Sequence, residues 1–184
     1  MKKIALFGDS IRMNYAPEVI KLLGEEYEVI NPEANGRFCT NLLRMVFDMN
    51  DELEGCDVIH FNTGEWDVSD VVGDGVFTPL EYYVPTVIRI AEFLKTKAKT
   101  VIFATSTPIT THPQNDNRDL MRYNAAIVPE LEKIGILIDD LWTPVNADRN
   151  RFIRNDDGIH LTDDGITLCG KIVADAIRNA AEGK

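Results

Sequence analysis

Cysteine is scarce: Cys39, Cys56 and Cys169 are the only three in 184 residues. An odd number so widely scattered makes neither a disulfide framework nor a cysteine-based zinc site, and a reducing, cytoplasmic location is the expectation. Long hydrophobic runs are missing as well. After Met1-Lys2-Lys3 the apolar stretch Ile4 to Phe7 stops at Gly8-Asp9, too short for a signal-peptide core or a membrane span. Basic charge is in deficit, with 19 Lys and Arg against 30 Asp and Glu and a formal net charge of −11. A field of that sign repels nucleic acid and anionic membranes. With only 12 Gly and 8 Pro beside 45% hydrophobic residues, the chain is neither collagen-like nor disordered. There is no Gly-x-Ser-x-Gly elbow, which argues against an α/β-hydrolase. A phosphate loop is also lacking: Gly165 to Gly170-Lys171 has the right glycine and lysine spacing, but Ile172 stands where a metal-binding Ser or Thr is needed and no strand precedes it.

What is present is an alternation of short apolar runs with longer stretches of helical period, the pattern of parallel βα units. Lys3–Phe7, Glu28–Ile30, Val58–Phe61, Thr100–Ala104 and Ile136–Ile138 read as five strands, near-continuously apolar as strands buried on both faces are. Leu120, Tyr123, Ile127 and Leu131 recur at helical spacing, as do Ile166, Cys169, Val173, Ala176 and Ala180. Thr78, Pro79 and Glu81 have the pattern of an N-cap, a first helical residue and a capping-box acid, so a helix is predicted from there. Pro85 and Pro129 fall inside helical patterns and are expected to kink those helices or shift their starts. No repeat or linker divides residues 1–184. The expectation is one domain of the α/β class, a three-layer α/β/α sandwich on a five-stranded parallel sheet.

In such a sheet, ligands bind beyond the carboxyl ends of the strands. Gly8-Asp9-Ser10 follows the first strand, Asn35-Gly36 the second, Asn62-Thr63-Gly64-Glu65-Trp66-Asp67 the third and Thr105-Ser106-Thr107-Pro108 the fourth, and Asp157-Gly158-Ile159-His160 comes well after the fifth. Serine, histidine and aspartate on one edge are the parts of a nucleophile, a general base and its orienting carboxylate. The spacing of Asp157 and His160 lets both side chains project from one turn, the carboxylate taking one ring nitrogen while the other faces the serine. His60, in a buried strand, reads as a structural histidine; His112, after the fourth strand, reads as a loop residue within reach of a substrate. No second His or Cys lies near either at ligand spacing, so no metal is predicted.

These blocks resemble the SGNH, or GDSL-type, serine hydrolases. Gly8-Asp9-Ser10 looks like the family's first block, Gly36 fits the glycine of the second, and Asp157-Gly158-Ile159-His160 matches the Asp-x-x-His of the fifth, in the right order from residue 8 to residue 160. The resemblance implies a flavodoxin-like sandwich with Ser10 as nucleophile, His160 as base and Asp157 as its orienter, and an oxyanion hole that includes the backbone N–H groups of Ser10 and Gly36. The third block departs from the family's Gly-x-Asn-Asp, since Gly64-Glu65-Trp66-Asp67 stands there; either Asn62 or the Trp66 indole N–H has to replace the missing donor.

The expected activity is therefore an esterase working through an acyl-serine, without a cofactor. The rival is a non-catalytic binding or sensor domain, motivated by the altered third block. No long amphipathic helix is left over to sit at a lipid interface, and the resemblance points to a short acyl group, acetyl above all, on a polar alcohol such as a carbohydrate. Arg37 and Trp66 are candidate substrate-binding residues, the 68–77 stretch a candidate rim. Arg12, Arg37 and Arg44 are the cations placed to offset the acidic field there.

Overall fold

The computed structural model describes residues 1–183. The chain runs β1 (Lys2–Phe7), α1 (Ser10–Leu23), a single 3-10 turn, β2 (Tyr27–Ile30), α2 (Cys39–Asp48), β3 (Cys56–Phe61), α3 (Leu80–Lys95), β4 (Ala98–Ala104), α4 (Asn117–Lys133), β5 (Leu137–Asp139), α5 (Trp142–Asn146), α6 (Arg149–Phe152) and α7 (Asp163–Glu182). The five strands form one parallel sheet in the order β2-β1-β3-β4-β5. This is the α/β sandwich expected, flavodoxin-like, with β1 and β3 at its centre.

Side chains alternate across a strand, so a strand covered on both faces has to be apolar at consecutive positions. In β1, Ala5 and Phe7 point to one layer, packing with Ile59, Phe61 and Phe103 beneath α2, α3 and α4. Ile4 and Leu6 point to the other, packing with Val58, Ile102 and Ala104 beneath α1 and α7. Tyr15, Val19, Cys169, Val173 and Ile177 are all fully buried between those last two helices and the sheet. At about 25 cal/mol per Å² of apolar surface, two such layers are what holds the strand ends in a fixed array.

One local expectation needs correction. Helix α3 begins at Leu80, one residue later than the capping pattern predicts: Pro79 is the cap, in an extended conformation (φ −52°, ψ 149°), and no side chain caps it. Thr78 is taken by another partner, its side chain bonding Asp67 and its N–H donating to the Asp67 carbonyl at 2.9 Å. Neither Pro85 nor Pro129 moves the start of its helix; both lie inside, as does Pro17 in α1. Each forgoes one backbone hydrogen bond within its helix. The run from Gly165 to Lys171 lies within α7, capped by Thr162, whose hydroxyl accepts from the Gly165 N–H at 3.1 Å.

Candidate active site

Ser10 is the first residue of α1. Asp9 caps that helix, its Oδ1 accepting from the Ile11 N–H at 2.9 Å, which places Ser10 in the first turn, where backbone N–H groups have no intrahelical acceptor. Gly8 makes the entry possible. Its φ is +151°, and a Cβ there would sit 1.8 Å from the Asn62 Oδ1, so no side chain can be accommodated.

The fifth block arrives from the far end of the chain. Ile153 and Leu161 form an antiparallel bridge, Arg154 donates its N–H to the His160 carbonyl at 2.8 Å, and the Leu161 N–H donates to Asn14 Oδ1 on α1. The turn between them is tight: Gly158 has φ +75°, and a Cβ there would meet the Thr111 carbonyl oxygen at 2.0 Å. Asp157 Oδ1 accepts from the N–H groups of Ile159 and His160, each at 2.9 Å, leaving Oδ2 for the His160 Nδ1 at 3.0 Å. The other ring nitrogen, Nε2, lies 2.9 Å from Ser10 Oγ. A carboxylate at Nδ1 assigns the proton to that nitrogen and leaves Nε2 as the acceptor for the serine hydroxyl. Partial burial pushes the Asp157 carboxyl up, but the two N–H donors and the His160 ring outweigh it and hold the group down at about 2. Asp156, its neighbour, pairs instead with Arg154 on the surface.

Ser10 and His160 open on a cavity of about 420 Å³ whose other walls are Asn35, Glu65, Trp66, Ser69, His112, Gln114, Asn115 and Ile159. The remaining predicted residues fare differently. The Gly36 N–H does not face the cavity: it donates to the Gly8 carbonyl at 2.8 Å. Asn62 is buried beside Asp9, its Oδ1 without a partner, and it is not part of the cavity lining. Trp66 does line it and is 40% exposed. Arg37, in a left-handed conformation (φ 52°), stands over the Trp66 ring at 5.9 Å and so reaches the cavity only through that ring. Arg12 is not available to a ligand. It is buried, and its guanidinium donates to Asn31 Oδ1 and to the carbonyls of Pro32 and Ala34, fastening the loop that carries Gly36 to α1. Arg44 pairs with Asp48 on the exposed side of α2. His60 is buried in β3 with Nε2 on Asp139 at 3.0 Å.

Glu65 and Asp67 stand in the third block but carry no role on the sequence alone, and Asn115 is not marked by any motif. Asp67, the last residue of the third block, is buried and accepts from the Cys39 N–H and the Thr63 hydroxyl, tying α2 to the site; burial raises its pKa. Among the described residues no group of three or more His, Cys, Asp and Glu is arranged to hold a metal ion, and no helix is long and apolar enough to cross a membrane.

No protein-family model matches the chain, and no curated protein does. Solved structures do. An acetyl xylan esterase, AlAXEase, shares 23% identity over 95% of this chain and 99% of its own, with a TM-score of 0.77. A lipase/acylhydrolase from Enterococcus faecalis matches at 20% identity, 97% and 96% coverage and a TM-score of 0.78. A member of the lipolytic G-D-S-L family from Veillonella parvula matches at 16% identity, 97% and 99% coverage and a TM-score of 0.78. The chain has the fold of the GDSL, or SGNH, acylhydrolases along essentially its whole length.

Proposed function

We propose that the protein is a serine acylhydrolase that cleaves a short acyl ester, acetyl above all, from a polar alcohol such as a carbohydrate. The observation that carries this reading is the relay from Ser10 Oγ through the His160 ring to Asp157, at 2.9 and 3.0 Å, opening on a cavity at the carboxyl edge of the sheet. In this mechanism His160 Nε2 takes the Ser10 proton as Oγ attacks the ester carbonyl, Asp157 stabilises the imidazolium that results, and His160 returns the proton to the leaving alcohol. Water, activated by the same ring, then releases the acid and restores the serine. The oxyanion meets the Ser10 N–H at the positive end of α1. With the Gly36 N–H given to Gly8 and Asn62 outside the cavity lining, the Trp66 indole N–H is, of the two third-block candidates, the one assigned to complete the hole. Trp66 with Arg37 above it also offers a flat face for a sugar ring. The fold shared with an acetyl xylan esterase supports the choice of alcohol. The assembled relay weighs against a non-catalytic sensor, which has no need of it.

A fluorophosphonate probe followed by peptide mapping tests the reading. Labelling at Ser10, lost in Ser10→Ala, is the expected result; an unlabelled, folded protein with no turnover of p-nitrophenyl acetate rejects it.

A further inference from the structure

Glu65, at the bend after β3, and Asn115, just ahead of α4, meet in the wall of the Ser10 cavity. Asn115 donates from Nδ2 to the main-chain carbonyl of Glu65 at 2.8 Å and to its Oε1 at 3.0 Å. The other half of each group is buried without a partner: Glu65 Oε2 and Asn115 Oδ1. If the carboxyl is ionised, both of these atoms are acceptors, and two buried unsatisfied acceptors on groups already joined is an expensive arrangement. A single proton relieves both. A carboxylic acid donates through one oxygen and accepts through the other, an amide does the same through N–H and C=O, and so the two close into a ring of two hydrogen bonds.

The surroundings favour the acid form. Glu65 is 3% exposed. The carboxyl group that acts on it is Asp9, from the β1–α1 turn and itself pushed up by burial, and the titratable groups on the other cavity walls are His112 and His160. Burial, with Asp9 adding to it, pushes Glu65 up to about 8 against the pull of the Asn115 hydrogen bond. The pair also sits in a seam, since Gln114, next to Asn115, accepts the Asp70 N–H at 2.7 Å.

We propose that Glu65 is a positioning residue, held as a neutral acid in a closed acid–amide pair with Asn115, which fixes one wall of the cavity and keeps it uncharged while negative charge gathers on the ester oxygen. The pair itself is independent of the hydrolase reading; its effect on turnover rests on that reading. Ionisation removes the bridging proton, separates Oε2 from Oδ1 and brings a negative charge into the wall. Glutamine at this position keeps the ring, because its amide N–H donates to Asn115 Oδ1 and its carbonyl still accepts, but it cannot ionise.

Two measurements test this. Carbon-13 NMR of the glutamate side-chain carboxyls in wild type should show one resonance that titrates near pH 8 and is absent from Glu65→Gln. For ester hydrolysis, wild-type kcat/KM should fall above about pH 8, approaching tenfold per pH unit. Glu65→Gln should lose that alkaline fall, whereas Glu65→Leu, checked for folding by circular dichroism, should lose on the order of tenfold or more at every pH and be less active than the glutamine variant. A Glu65 carboxyl that titrates in the ordinary glutamate range overturns the proposal, as does an alkaline fall retained in Glu65→Gln or a leucine variant as active as wild type. If the resonance titrates near pH 8 but no ester is hydrolysed, the acid–amide pair stands and the hydrolase reading fails.

Discussion

His160 takes a hydrogen bond from Ser10 and gives one to Asp157, so each of the three residues fails in its own way when replaced. Ser10→Ala removes the attacking atom and is expected to lower esterase turnover by on the order of 10⁴ to 10⁶ while leaving the melting temperature within a few degrees. His160→Ala should be comparably damaging. Asp157→Asn keeps the shape but loses the acceptor for the Nδ1 proton, and a cost equal to or below that of the histidine variant is expected from steady-state kinetics. Activity should also fall on acidification, since an imidazolium cannot accept from the serine. Trp66→Phe keeps the ring and deletes the indole N–H; a loss of about 10² to 10³ in kcat, with Asn62→Ala read against it, decides which residue donates to the oxyanion. At this scale legibility followed locality. Asp157 and His160 share one turn and Ser10 follows a strand, so residue type and spacing sufficed to bring them forward. The surroundings of Gly36 and Asn62 are set by the Gly8 carbonyl and Asp9, which come from another strand end, and no spacing along the chain records that approach. The pairing of Glu65 with Asn115 was hidden for the same reason: the two lie 50 positions apart.

Among the elements, the five strands and the helices ending at Lys133 and Glu182 were readable from apolar periodicity, because both faces of the sheet are covered and burial leaves a continuous trace. Their limits were less so. β3 begins at Cys56 and β4 at Ala98, two residues before the predicted starts in each case, since the pairing of Cys56 with Ala98 extends the ladder into sequence with no β signature. The start of α3 slipped by one because the Thr78 hydroxyl, a good cap on local grounds, is claimed by Asp67. The turn at 157–160 is the element on which the site turns. Gly158→Ala has to relieve both a positive φ and a 2.0 Å approach to the Thr111 carbonyl. A stability loss above about 1 kcal/mol is expected in urea titration. The fall in kcat should be larger than that loss of folded population explains, because the turn that presents His160 has to move.

At the scale of the whole molecule, burial of carboxyl groups gives an unusual pH response. Glu65 loses its proton at about 4.5 when unfolded but at about 8 when folded, so between those values the folded state binds more protons and stability falls as pH rises, levelling off above about 8. Asp157 runs the other way. Its folded value of about 2 lies below the unfolded 3.8, so its contribution is intact above pH 3.8 and is lost on acidification toward 2. Thermal melts at pH 5 and pH 8 should therefore show a decline in wild type that Glu65→Gln reduces. The substrate pocket makes its own forecast: in a p-nitrophenyl ester series, acetate or butyrate should exceed octanoate in kcat/KM, whereas a lipase-like site would gain about 0.8 kcal/mol of binding for each further methylene it buried. The α1–α7 packing reaches further still. Ser10 and His160 stand 150 positions apart, and the segment that carries His160 is held by Asn14 of α1 and continues directly into α7. A ribosome-bound chain with the first four strands already paired thus holds Ser10 but not yet His160. On the proposed mechanism Ser10 lacks its base until α7 has docked, and in a refolding time course esterase activity should return with the last phase, never ahead of the sheet's circular dichroism signal.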